Sequence, residues 1–184
     1  PADWITRDTD VARYQAASQA LVSVLVDKVS TSRFAWYAAD EPSARDADFR
    51  RVEGLNLVLG RRQGWKTLVT GAGPDFDRYR EVNDPVLGTV RPGDLISIRV
   101  HTGRGFSTPE FLRRARAECA AHGAEFWAYS LGGYPGQDGL MIQNRFRAGV
   151  LCWQAGLAGF MAWPLQTIST TRFFMDVAVC FRVC

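Results

Sequence analysis

The sequence predicts an α/β protein of parallel βα units, and three observations predict it. Short apolar or β-branched runs alternate with segments whose apolar residues recur every three or four positions. Start and stop signals bracket the periodic segments. Polar and aromatic residues collect just after the carboxyl ends of the short runs: Asp40-Glu41, Asp75 and Asp77, His101-Thr102, Tyr134 with Asp138, and Trp163. Alternating strands and helices imply a parallel sheet with helices outside. An open doubly wound sheet and a (β/α)8 barrel both hold ligands at the carboxyl edge.

The elements follow in order. After the acidic cluster Asp8-Thr9-Asp10, Val11, Tyr14, Ser18, Leu21 and Leu25 form the stripe of a first helix. A strand is predicted over residues 33–39. Ser43 and Asp46 fit a capping box, and Phe49, Val52, Leu55 and Leu59 carry a second helix that stops at Gly60 or Gly64. Residues 66–70 form a second strand, closed by Gly71-Ala72-Gly73-Pro74. Residues 75–94 read as a long loop, with one helical turn around 76–82. Residues 95–100 form the third strand.

Thr108, Pro109 and Glu110 supply an N-cap, a first-turn proline and an early acid for a helix that runs to His122 and stops at Gly123. Residues 125–130 form the fourth strand, followed by a glycine-rich loop. Phe146, Val150, Trp153 and Leu157 give a further helical stripe, and residues 159–163 the fifth strand.

Composition narrows the function classes. The chain has 184 residues, 47% hydrophobic and 22% charged, which is that of one folded globular domain rather than a disordered or collagen-like chain. The net charge is +3, but the basic residues are scattered, with none in runs longer than Arg50-Arg51, Arg61-Arg62 and Arg113-Arg114, so no nucleic-acid partner is expected. No stretch reaches the ~18 apolar residues of a membrane span, so no membrane partner is expected either. The start, Pro-Ala-Asp-Trp, has neither a signal peptide's pattern nor an initiator Met, the expectation for a mature form, an excised domain or a fragment.

Cys119, Cys152, Cys180 and Cys184 lack CxxC spacing, and with two histidines in the chain they make no zinc pattern; they read as buried or free thiols. The loop from His101 to Thr108 joins a strand to a helix, as phosphate-cradling loops do, but lacks the third glycine of the dinucleotide fingerprint and the Gly-Lys-Ser/Thr of a P-loop. Gly71-Ala72-Gly73 runs into Pro74, which removes a backbone donor. There is no Gly-x-Ser-x-Gly elbow, and the sequence suggests no histidine partner for a cysteine.

The stretch FAWYAADEP, residues 34–42, ends an apolar strand on two neighbouring acids, which repel and cost desolvation in a dry site. One reading makes them the start of a βα loop whose acids serve the next helix N-terminus. Together with the later FWAYSLGGYPG and NRFRAGVLCWQAGLAGFMAWP, however, the stretch resembles the second half of the catalytic barrel of the glycoside hydrolase family 123 type and its relatives. There a Tyr-rich strand ends in Asp-Glu-Pro, a Trp-x-Tyr strand follows, and an Arg-bearing helix leads to a strand Gly-x-x-x-Trp. The resemblance covers about residues 33–166 and leaves 167–184 as a tail without a counterpart.

The resemblance implies a partial (β/α)8 TIM-type barrel of about five strands, where a closed one has eight. It implies a retaining, substrate-assisted glycosidase acting on 2-acetamido sugars, with Glu41 as acid/base and Asp40 as the carboxylate that assists the acetamido group. The partner is then a carbohydrate, and no cofactor is needed. The family is commonly exported in bacteria. The substrate contacts would be Tyr129, Tyr134, Trp163, Arg147 and His101. Three of these have a plainer alternative: core packing for Tyr129 and Trp163, as for the neighbouring Trp127, and a solvated helix surface for Arg147, as for Arg145. Asp75 and Asp138 would supply a second carboxylate in an ordinary two-carboxylate scheme, and His122 reads as a helix cap. The rival to an enzyme is a non-catalytic carbohydrate-binding or vestigial fragment of such a barrel.

Overall fold

The computed structural model describes residues 8–25, 35–39, 47–71, 81–102, 106, 108–129, 146–162 and 179–182. The chain is α/β and divides into two compact units, Pro1–Ser97 and Ile98–Cys184. In the first unit lie α1 (Asp8–Leu25), β1 (Ala35–Ala39), α2 (Ala47–Arg62), β2 (Lys66–Gly71), β3 (Val82–Asp84) and β4 (Gly88–Val90), then a 3-10 turn at Pro92–Leu95. The second holds β5 (Ile98–Thr102), α3 (Pro109–Ala121) and β6 (Glu125–Tyr129). A π-helical segment, Phe146–Leu151, then runs into one α-helical turn, α4 (Cys152–Gln154), and is followed by β7 (Gly159–Ala162) and β8 (Val179–Arg182).

Five strands stand in βα order, and their described pairings within each unit are parallel: β1 with β2, β5 with β6 and β6 with β7. No closed barrel occurs among the described strands. The strand β8, inside the predicted tail, pairs antiparallel with β7.

In the first unit α2 covers one face of β1 and β2. Leu57 and Val69 are fully buried there with Ala38, Ala39 and Ile96, against Trp36 and Leu95; each fully buried Leu or Val contributes roughly 1.5–3 kcal/mol. On α2's other side, Val22 of α1 packs with Leu59 and Trp65. Helix α2 is thus covered around most of its girth, and residues 56–60 are all buried, more than a single stripe anticipates. Of the α1 stripe, Leu21 instead lies 52% exposed and Val22 is buried.

The close approach of α2 needs Gly60. A Cβ there would stand 2.9 Å from both Thr67 Cγ2 and Trp36 Cδ1. The helix ends at Gly64, at φ +72°, where Trp65 N donates to Gly60 O at 3.1 Å and Gly64 N to Arg61 O at 2.9 Å, a Schellman closure. The same pair of bonds ends α3 at Gly123 and α4 at Gly156. At α4, Arg116 of α3 adds donors, from Nε to Ala155 O at 2.7 Å and from Nη2 to Gln154 O at 3.1 Å, which satisfy the helix's last carbonyls.

Residues 75–94 depart from the long loop. Val82 starts an antiparallel hairpin, pairing with Val90, while 76–80 lie outside the described residues. Asp84 Oδ1 accepts from the amides of Val86 and Leu87 at 2.9 and 3.0 Å, and Gly88, at φ +76°, brings the chain back. Thr89 and Asn83 bond across the strands at 2.8 Å. The turn at Pro92–Leu95 moves the start of the third parallel strand to Ile98.

In the second unit, Phe126 and Ala128 of β6 and Phe160 of β7 pack on Ala115 and Cys119 of α3 and on Cys152, Ala155 and Leu157. The stripe predicted at 146–157 is largely inverted: Phe146, Val150 and Trp153 are exposed, Trp153 by 74%, and of its members Leu157 is buried. The π-helical winding of 146–151 carries more residues per turn than the spacing assumes. On the opposite face of β6, the Trp127 indole lies over its cross-strand partner Gly159, where a Cβ would fall 2.3 Å from Trp127 Cε2.

Gly159→Ala therefore destabilises the protein by about 1–3 kcal/mol, the range for overpacking a filled core. Urea unfolding of Gly159→Ala, alone and combined with Trp127→Leu, measures it; the double variant regains part of the loss because the ring is gone.

Candidate functional site

Of the residues predicted to form a site, Asp40, Glu41, Tyr134 and Trp163 lie outside the described residues, as do Asp75, Asp138 and Arg145. Arg147 belongs to the π-helical segment, and its side chain is not described. Described in full are Tyr129, His101 and the end of β1 that leads to Asp40.

That end is irregular. Pairing with β2 runs Ala35 with Lys66, Trp36 with Thr67, Tyr37 with Leu68 and then Ala39 with Val69, so Ala38 is an extra residue, a β-bulge. Ala38 and Ala39 are both buried. Two side chains pin the bulge. Asn56 of α2, itself buried, donates from Nδ2 to Ala38 O at 3.3 Å. The Tyr37 hydroxyl meets Thr70 Oγ1 at 3.0 Å, joining adjacent strands near their carboxyl ends. Tyr37 is 37% exposed, so its ring borders solvent. Neither Asn56 nor Thr70 stood out in the sequence, since an amide inside a helical stripe and a threonine in a β-rich run are ordinary at that level.

A second polar group lies beside α2. Arg62 Nη1 stands 3.6 Å from Asp84 Oδ2, and the two line a cleft of about 70 Å³ with Gln19, Leu55, Asn56, Val58 and Leu59. The ion pair ties the hairpin to α2.

In the second unit the strand register separates two faces. Arg99 pairs with Phe126 and His101 with Ala128, on the face packed against α3. Thr102 pairs with Tyr129, which pairs with Met161, on the other face, together with Trp127. Tyr129 and Thr102 are half-buried at the carboxyl ends of their strands. Trp127 is buried, and its Nε1 donates to Glu125 Oε2 at 3.0 Å, so core packing describes it.

His101 is 1% exposed. Its ring sits edge-on to Phe111 and Phe126, with centroids 5.8 and 5.3 Å away, so in this structure it is a core group rather than one open to a substrate. Its Nε2 lies 3.9 Å from Cys119 Sγ, a neighbour that the sequence does not suggest. Burial, with the nearby Arg99 charge, lowers the imidazole to about 4. Burial pushes the Cys119 thiol up to about 12, Arg99 partly opposing and Glu118 adding to the rise; burial takes Cys152 to about 11. A thiolate nucleophile needs the opposite environment, so Cys119 and His101 form a neutral contact and not a reactive dyad.

Arg99 is fully buried and pairs through Nη1 with Glu118 Oε1 of α3 at 2.5 Å. Among the described residues no group of three His, Cys, Asp or Glu side chains is placed to hold a metal, and no helix is long and apolar enough to cross a membrane. No family model matches the chain, and no curated protein or solved structure is significantly similar to it.

Two stability effects follow. Glu118→Ala removes the carboxylate partner of the buried Arg99 and costs about 3 kcal/mol or more in urea unfolding. His101 accepts a proton at pH 6.5 when unfolded but only at about 4 when folded. The unfolded state thus binds more protons between these values, and stability falls as pH drops through that window. The loss between pH 7 and pH 5 is about 2 kcal/mol. Urea unfolding of wild type and His101→Leu at both pH values measures it: the variant lacks that part of the slope.

Proposed function

We propose that the chain derives from a glycoside hydrolase of family 123 type and hydrolyses N-acetyl-β-hexosaminides with retention, through Asp40 and Glu41. The observation that carries this reading is the acid pair itself, two residues beyond the bulge of a parallel strand in a βα unit. Ligands of parallel α/β folds bind at that edge, and bulges recur beside active sites. The order of the three resembling segments supports it further. The finer fold in this reading is a partial TIM-type barrel.

In the proposed reaction the acetamido carbonyl oxygen of the sugar attacks the anomeric carbon as the bond to the leaving oxygen breaks. Glu41, protonated, gives its proton to that oxygen; Asp40, ionised, accepts the acetamido N–H and stabilises the positive charge spreading over the ring that forms. Glu41 then takes a proton from water, which opens that ring at the anomeric carbon. The resemblance also names Tyr129, half-buried at the end of β6, with Tyr134, Trp163 and Arg147 as substrate contacts; His101, in the core, is left out.

The alternative reading is a non-catalytic carbohydrate-binding module or vestigial fragment of such a barrel, which would use the same residues without turnover.

The test is hydrolysis of aryl N-acetyl-β-galactosaminide and N-acetyl-β-glucosaminide beside the same glycosides lacking the acetamido group. The proposal expects acetamido-dependent turnover that falls by about a hundredfold or more in Glu41→Gln and in Asp40→Asn. No turnover from folded protein overturns the enzyme reading; saturable sugar binding without turnover then selects the module.

A further inference from the structure

We propose that Asn56 is a positioning residue for Asp40 and Glu41: by holding the Ala38 carbonyl it keeps the bulge in β1 and so fixes the phase in which the chain leaves the strand. The activity part of this inference rests on the glycosidase reading; the structural part does not.

Along a strand, side chains alternate between faces, so a slip of one residue sends every following side chain to the opposite face. The bulge is such a change of phase. Before it, Trp36 pairs with Thr67; after it, Ala39 pairs with Val69, with Ala38 inserted. If the bulge were lost and the ladder ran on regularly, Ala38 would take the place opposite Val69, and every later residue would exchange faces. For most chain ends that exchange would matter little. Here the next two residues are the acids proposed to hold different protonation states and duties, so an exchange would swap their roles.

The bulge has a cost that something must offset, because Ala38 lies outside the regular register and is buried, and a buried carbonyl needs a donor. Asn56 supplies one, from within the helix run Leu55, Asn56, Leu57, Val58, Leu59. Packing alone favours an aliphatic residue at this buried position, and asparagine is a poor helix former whose side chain competes for backbone bonds. The amide lines the cleft with Arg62 and Asp84 and also bonds Ala38 O at the bulge. From the residue before the bulge, the Tyr37 hydroxyl reaches Thr70 on β2, so the flanks of the inserted residue are tied to two different elements.

The test uses Asn56→Leu, which keeps the branching at Cγ and removes the donor, and Asn56→Asp, which donates while its carboxyl is protonated and repels the carbonyl once ionised. Each variant is followed by turnover of the aryl acetamido glycosides, by amide exchange of the peptide spanning 37–41 against that spanning 98–102, and by urea unfolding. In Asn56→Leu, kcat is expected to fall about 10-fold to 100-fold, as for a misplaced catalytic group, with KM held within about twofold. Exchange at 37–41 is expected to rise about tenfold while 98–102 is unchanged. Asn56→Asp is expected to approach wild-type protection at 37–41 at acid pH and to lose it as pH rises, an added limb that wild-type protection lacks and that a packing role does not produce; its activity is expected to fall at lower pH than the loss through Glu41 deprotonation that both proteins share. Folded Asn56→Leu with wild-type kcat and exchange overturns the proposal, as does Asn56→Asp without the added limb. If wild type turns over no acetamido glycoside, the glycosidase reading falls while the exchange data still decide for or against Asn56. If Asn56→Leu does not fold, the pH dependence of exchange in Asn56→Asp decides.

Discussion

Each unit depends on an indole seated where a glycine leaves out its Cβ. In the first, Trp36 of β1 lies against Gly60 of α2; in the second, Trp127 of β6 lies across Gly159 of β7. A parallel strand pair must be covered before its apolar faces stop favouring association with other surfaces, and the cover must come close. An indole fills more volume than a leucine and needs more room. The missing Cβ provides it, at the expense of the helix or strand propensity that alanine would bring. Trp36 is also stacked at 34° on Trp65, 5.7 Å away, the residue that ends the Schellman closure of α2. The turn that stops the helix thus also supplies the next layer of the core, which links the helix's length to the packing of the strand before it.

The same economy is visible around β2. Thr67 is buried, and its hydroxyl donates to Leu95 O while accepting from Ser97 N at 3.2 Å; Ser97 Oγ in turn accepts from Arg61 Nη1 at 3.0 Å. One polar side chain in an apolar face thereby anchors the 3-10 turn that precedes Ile98. Asn56 does likewise for the bulge. Thr67 and Asn56 thus both attend to backbone irregularities, where the regular ladder leaves groups to be satisfied.

Much of this was legible in the sequence because it is written in local rules. Of the two stops read for the second helix, Gly60 and Gly64, the structure takes Gly64; the stop at Gly123, the start at Pro109 and the βα alternation also follow from local signals, although Thr108 at the N-cap makes no side-chain cap bond. What escaped was written in non-local terms. The hairpin at Val82–Val90 carries its own signal, β-branched residues flanking Asp84-Pro85 with Gly88 at the turn, yet the surrounding charges and prolines read as loop. The 146–157 stripe fails because residues 146–151 wind as a π-helix, whose residues per turn exceed the α-helical spacing the stripe assumes. For the site, the acid pair is visible as a motif, but Tyr37, Thr70 and Asn56 are brought together by a register shift that no spacing encodes.

His101 shows the limit most clearly. Its position directly after an apolar run suggested an accessible contact, because carboxyl-edge residues commonly face ligands. Strand alternation alone leaves two faces to choose between. Arg99, two residues earlier on the strand, shares the face of His101. The structure reverses the inference: both side chains point into the helix-covered side, the guanidinium neutralised by Glu118 and the imidazole kept uncharged between two phenylalanines and a thiol. A charged residue marks an exposed face only when no partner of opposite sign can follow it inside. Glu118 lies nineteen residues away on the crossover helix, so the deciding partner is set by the βα connection, and the polarity of β5 becomes readable only once that connection is known.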